Sequence, residues 1–151
     1  MHKSTAVHPY THSDAHEAGH ASGLARVVVP VARTLFAAIF LVAAPGHFQG
    51  SAVGYAASHG VPFPGILVPL SGLMSIVGAL SVILGYRARL GAWLLVAFLL
   101  PVTLFMHDFW AVADPMEAAL QQGMFLKNAS MLGGALLIAH FGAGPVSLDR
   151  E

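Results

Sequence analysis

The sequence predicts an all-α integral membrane protein: a four-helix bundle with both termini in the cytoplasm and a disordered N-terminal tail. Three observations lead there. Hydrophobic residues make up 56% of the 151-residue chain, and charged residues only 9%, where a soluble domain carries about a quarter charged. Apolar runs occupy residues 27–44, 66–84, 90–106 and 124–141, each close to the ~20 residues a helix needs to cross about 30 Å of hydrocarbon. Arginine and lysine also sort by connection, which fixes orientation.

Residues 1–23 form a polar, His-rich tail, and residues 24–151 form the membrane domain. The tail carries His2, His8, His12, His16 and His20 among Ser, Thr, Gly and Ala. It lacks the apolar centre of a secretory signal and is expected to be disordered. His16-Glu17-Ala18-Gly19-His20 matches the H-E-x-x-H zinc pattern. That pattern needs a packed helix and a further ligand. A polar, Gly-containing tail promises neither, so no metal site is assigned. The first span is expected to stay uncleaved, because its apolar run exceeds a signal's and further spans follow.

Lys3 and Arg26 precede the first span, Arg87 and Arg89 fill the turn between the second and third, and Arg150 follows the fourth. The connections 45–65 and 107–121 contain neither residue type. The positive-inside rule therefore places the termini and the arginine turn in the cytoplasm. Pro30 is expected near the start of the first helix, where its missing N–H is harmless. Pro45, Pro62 and Pro64 predict a re-entrant or extended first outer loop, and Asp114-Pro115 predicts a helix start with Asp at the N-cap. Ser71, Ser75 and Ala79, with Gly72 and Gly78 beside them, give the second span a small-residue face for close helix packing. Gly133, Gly134 and Ala135 do the same in the fourth.

Polar residues inside lipid are costly and so informative. Arg33 lies about two turns inside the first span. It either snorkels to the cytoplasmic interface or faces the bundle and pairs with Asp149 or a bound anion. Lys127 and Asn128 lie near the outer end of the fourth span, with His107, Asp108 and Asp114 as neighbouring candidates for partners. A Lys127–Asp108 pair with His107 and Asn128 would make a polar pocket beside Phe105, Phe109 and Trp110. Flat apolar walls with a few donors suit a quinone head group, and the same residues suit a purely structural polar network. His107, Asp108, Trp110, Lys127 and Asn128 are thus the candidate ligand-binding residues.

Read in order, several fragments resemble the DoxX family of small four-span membrane proteins. They are Arg33, Gly60-Val61-Pro62, Leu84-Gly85-Tyr86-Arg87-Ala88-Arg89, Met106-His107-Asp108-Phe109-Trp110, Phe125-Leu126-Lys127-Asn128 and Gly142-Ala143-Gly144-Pro145-Val146-Ser147-Leu148-Asp149. The resemblance implies a bacterial inner-membrane bundle linked to redox metabolism, with oxidoreductase proteins as partners. A Glu is common in the second span of that family, and Ser75 stands there in this chain.

The expected function is a redox-associated inner-membrane subunit that interacts with quinone and partner oxidoreductase proteins. The alternative is a non-catalytic scaffold or anchor. The chain has no cysteine, which excludes thiol catalysis, a cysteine-ligated iron–sulfur cluster and thioether-linked haem. No resident cofactor is expected beyond the quinone. A net charge of zero offers no basic field for nucleic acid. The lipid bilayer is the first expected partner, and a homo-oligomer is compatible with the composition.

Overall fold

A computed structural model describes residues 12–149, with side chains described from Gly23 onward. Among them are five α-helices and no strand: α1 (His12–Ala43), α2 (Gly50–Ser58), α3 (Pro64–Leu84), α4 (Ala88–Met106) and α5 (Pro115–Phe141). Short 3-10 turns at Ala44–Phe48 and Phe109–Ala111 follow α1 and α4. Four segments are long and apolar enough to cross a membrane: Gly23–Phe48, Pro64–Leu84, Ala88–Ala111 and Pro115–Phe141. An even number of crossings puts both ends of the described chain on one side.

Large hydrophobics such as Leu35, Val42, Leu73, Leu90 and Leu137 lie on the outside of the bundle. Water would penalise that arrangement, whereas lipid accepts it. The interior is built instead from small and tightly fitted residues. Ala37, Ala79, Ala92, Leu95 and Ala135 are fully buried. A Cβ at Gly78 would lie 2.8 Å from Leu95 and 2.9 Å from the Gly91 carbonyl, so α3 and α4 touch through backbone. Of the small-residue face predicted for the second span, Gly78 makes that contact, while Gly72 lies against His47 and Phe48.

The helices follow one another around the bundle, with α1 on α3, α3 on α4 and α4 on α5. The α1–α5 seam that closes the ring is the loosest of the four. Phe36 crosses it: a Cβ at Gly134 would lie 2.8 Å from the Phe36 ring.

Several local expectations change. The helix that forms the first span begins at His12, so Pro30 lies well inside α1 rather than at its first turn. Ala and Glu favour helix in residues 12–23, and the apolar span downstream lets the helix extend through the weaker Ser, His and Gly positions between them. The disordered-tail expectation otherwise concerns residues 1–11, which lie outside the described residues, and no side chain of the His16–His20 pattern is described. The first outer loop is largely helical, because α2 fills nine residues of it. Asp114 does cap α5, accepting the Glu117 backbone N–H at 2.8 Å with Pro115 at the first position. The fourth span therefore starts at Pro115 and runs unbroken.

Candidate functional site

The two ends of the bundle hold the polar residues. At the arginine-bearing end, α3 closes in a Schellman turn: Gly85 at φ +62 lets the Tyr86 N–H reach the Ser81 carbonyl at 3.1 Å. Residues 142–149 then cross this turn as a strap. The Leu148 and Asp149 N–H groups donate to the Leu84 and Gly85 carbonyls at 3.3 and 2.7 Å. The Asp149 carboxylate accepts the Arg87 and Ala88 N–H groups at 2.7 and 3.0 Å, which caps α4 from 61 residues away. One short segment thus satisfies the free carbonyls ending α3 and the free amides starting α4.

Arg33 fastens the strap from below. It is 4% exposed, and its Nη1 and Nη2 donate to the Ala143 and Val146 carbonyls at 2.8 and 2.7 Å. Its Nε alone is buried without a partner among the described residues. Of the two expectations for Arg33, the inward-facing one holds. Its hydrogen-bond partners are backbone carbonyls rather than the Asp149 carboxylate. The fragments around Arg33, Gly85 and Asp149 meet in this one joint, whose work is to hold the bundle's end.

At the opposite end, a cavity of about 180 Å³ lies within the bundle. α1 contributes Ile39, Phe40 and Ala43 to its lining; α4 contributes Phe98, Leu99 and Val102; α5 contributes Lys127, Asn128 and Met131. His47, Ser75 and His107 complete it. Gly72 makes room for His47: a Cβ there would lie 2.7 Å from the His47 Cβ. The His47 ring meets Phe98 edge-on at 5.4 Å.

Hydrogen bonds outside the cavity fix most of these groups. Ser71 donates to the Val68 carbonyl at 2.7 Å and lies 2.9 Å from His47 Nδ1, and the same carbonyl accepts from the His47 ring, which places the imidazole hydrogen on that side. His107 Nδ1 bonds Gln121 Oε1 at 2.8 Å, and Gln121 Nε2 donates to the Tyr55 hydroxyl at 3.3 Å. An amide oxygen only accepts, so Nδ1 of His107 carries the hydrogen. Ser75 donates to the Gly72 carbonyl at 2.8 Å.

Asn128 is the exception. It is 4% exposed and lines the cavity, yet its amide has no hydrogen-bond partner among the described residues. The cavity reaches this amide: the one fully buried side-chain polar atom without a partner among the described residues is Arg33 Nε. Its neighbour Lys127 likewise has no acidic partner among the described residues.

The sequence-predicted pocket is therefore partly assembled. His107, Lys127 and Asn128 come together. Asp108 and Trp110 are not among the lining residues, because α4 ends at Met106 and the chain turns away in the 3-10 segment after Asp108. The expected Lys127–Asp108 ion pair does not form. Trp110, 60% exposed, packs edge-on against Phe109 and Phe125 at 5.1 and 5.9 Å in an aromatic cluster at the outer end. Sequence reasoning misses His47 and Ser75 as lining residues. A histidine just past the first span, facing a glycine-notched helix, is the available signal for His47. For Ser75 the small-residue spacing signals packing alone.

An all-helical, four-span bundle with a largely apolar cavity between its helices, edged by a few polar side chains, defines a class of small membrane proteins. Within that class the chain belongs to the SURF4 family, whose pattern it matches over residues 66–151. Two Escherichia coli relatives support this. Inner membrane protein YqjF is 32% identical over 124 residues, 82% of this chain and 91% of the relative. Inner membrane protein YphA is 32% identical over 134 residues, 85% of this chain and 94% of the relative. The Surfeit locus protein 4 homolog of Drosophila melanogaster is 33% identical over 84 residues, 52% of this chain and 31% of that protein. No solved structure matches the chain. The DoxX resemblance is corrected accordingly: the family and these relatives carry SURF4 and inner-membrane names, and none carries DoxX. The fragments behind that resemblance are short, and several of them are the requirements of a closed helix end. The chain is a multi-pass protein of the bacterial inner membrane.

Proposed function

We propose that this protein is an inner-membrane subunit that receives the ring of a lipid-soluble, quinone-type compound in the cavity around Asn128. The observation that carries the reading is the Asn128 amide, open to the cavity and without a hydrogen-bond partner among the described residues. A ligand oxygen or hydroxyl would meet it and remove the cost of its isolation. Phe40 and Phe98 offer flat apolar walls. A dry cavity of about 150 Å³ accepts benzene, so about 180 Å³ suits one substituted ring. Electrons in such a role would pass to or from partner oxidoreductase proteins, since a chain without cysteine has no thiol couple of its own.

Purification from native membrane, followed by solvent extraction and mass spectrometry, tests this. A quinone should co-purify with the wild-type protein and be depleted at least about tenfold in a folded Asn128→Leu variant. Equal recovery from both would remove the cavity from the account. A scaffold or anchor role is favoured by the other buried polar groups: Arg33, Ser75 and Thr103 all donate to backbone carbonyls and so hold structure. It becomes the leading reading if no ring compound is recovered from either protein.

A further inference from the structure

The hydrogens around the cavity are unevenly spent. His47 Nδ1–H is committed to Ser71 and His107 Nδ1–H to Gln121. In the neutral imidazoles, each Nε2 is then a lone pair with no hydrogen to give. No side-chain partner of either Nε2 is present among the described residues, and the Val68 carbonyl also accepts from the His47 ring. The Ser75 hydroxyl hydrogen is committed to the Gly72 carbonyl, which leaves that oxygen able only to accept. Three of the five polar side chains that line the cavity therefore offer acceptors. Asn128 offers both kinds of group, and Lys127 offers donors alone.

We infer that the cavity selects a ring bearing hydroxyl donors, the quinol form in preference to the quinone. A quinone brings only carbonyl acceptors and would set its lone pairs against those of His47, His107 and Ser75. A quinol donates from both ends of the ring and keeps its oxygens as acceptors for Asn128 and Lys127. A mismatched polar contact in a water-poor site costs enough to shift affinity about tenfold or more. Any phenolic ring of this size shares the chemistry, whether it comes from a prenylated lipid or from a free aromatic.

The way in fits a membrane-borne ligand. Ile39 and Ala43 on α1 and Lys127 and Met131 on α5 all line the cavity, and the α1–α5 seam is the loosest in the bundle. Phe36 over Gly134 closes the seam nearer the strap. The opening thus lies in the outer half, where a ring can enter from lipid while an attached chain stays between α1 and α5.

This inference rests on the ring-binding reading of the cavity, and one experiment separates the two. Purified full-length protein in lipid nanodiscs is titrated anaerobically with tetramethylhydroquinone and with tetramethylquinone. The hydroquinone should bind about tenfold more tightly or better. His47→Phe should erase most of that advantage while leaving quinone affinity within about twofold. Gln121→Leu releases His107 Nδ1 without altering a lining residue and should also shrink the advantage, so the test survives misfolding of the first variant. With the preference established, a prenylated quinol that outbinds the short one identifies a lipid source, and equal binding of the two identifies a free aromatic. Equal or tighter quinone binding, lost for both rings in Asn128→Leu, would overturn the hydroxyl preference and keep the site. Binding of neither ring would overturn the site itself, and this inference with it.

Discussion

At the arginine-bearing end, the strap, the Schellman turn and Arg33 interlock: carbonyls ending α3 meet strap amides, amides starting α4 meet Asp149, and the guanidinium meets two strap carbonyls. At the outer end, four helices lean around a cavity where, among the described residues, Asn128 meets no partner and two histidines keep one nitrogen each unused. The same bundle pairs the polar groups at one end, Arg33 Nε excepted, and leaves cavity-lining side chains open at the other. Polar groups that are satisfied internally stabilise a membrane fold, whereas those left open on a cavity are available to whatever enters it. The contrast separates residues that hold the protein together from those available to a ligand.

The largest expected effect would break the closed end. Arg33→Met strands the Ala143 and Val146 carbonyls and frees the strap, which should cost about 3–5 kcal/mol given that charged hydrogen bonds are worth about 1.5–3 each. Thermal unfolding in detergent measures it, and a loss below ~1 kcal/mol would mean that the strap is dispensable. Gly85→Ala should cost about 2–4 kcal/mol. A Cβ at that position would lie 2.5 Å from Ser147 and 2.6 Å from Arg33, in a left-handed conformation.

The open end should behave in the opposite sense. Asn128→Leu removes an unmet amide and should leave the ligand-free protein equally stable or up to about 2 kcal/mol more stable. A loss of similar size would show that the amide has a structural partner, and the contrast between the ends would collapse.

Acid sharpens the closed end more gently. The Ala88 N–H, then the Arg87 N–H, hold the Asp149 carboxyl below the usual carboxylate range, with the charges of Arg87 and Arg33 adding to them. Its contribution is therefore complete above the unfolded value near ~3.9 and is lost as pH falls through the depressed folded value. Stability followed from about pH 6 down to about 3 should fall less steeply in Asp149→Asn than in the wild type. The smallest expected effect is a null one. Lys127→Met and Asp108→Asn should be additive within about 0.5 kcal/mol, because the two side chains do not pair; coupling above ~1 kcal/mol would restore the ion pair.

Much of the site is visible in the chain, and the errors have physical causes. His107, Lys127 and Asn128 are legible because polar residues near the end of an apolar run stand out against lipid. Asp108 and Trp110 join them in the sequence reading because they adjoin His107 along the chain. The helix ends one residue before His107, and the turn at residues 109–111 packs against Phe125 of α5 rather than onto the cavity. His47 and Ser75 arrive from two other segments, and the approach of His47 depends on the missing Cβ of Gly72.

The sequence by itself determined the all-α class, the four crossings and the Asp114 cap, since each follows from local periodicity, apolar length or the hydrogen-bonding needs of one helix end. The continuation of α1 back to His12 and the helix within the first outer loop were settled by the folded chain. So were the strap over Gly85, the inward turn of Arg33 and the company that Asn128 keeps. Those depend on residues tens of positions apart meeting at ångström distances, and on which donors other contacts have already used. Local pattern records what a residue is able to bond; only the packed bundle decides which of those bonds remain open.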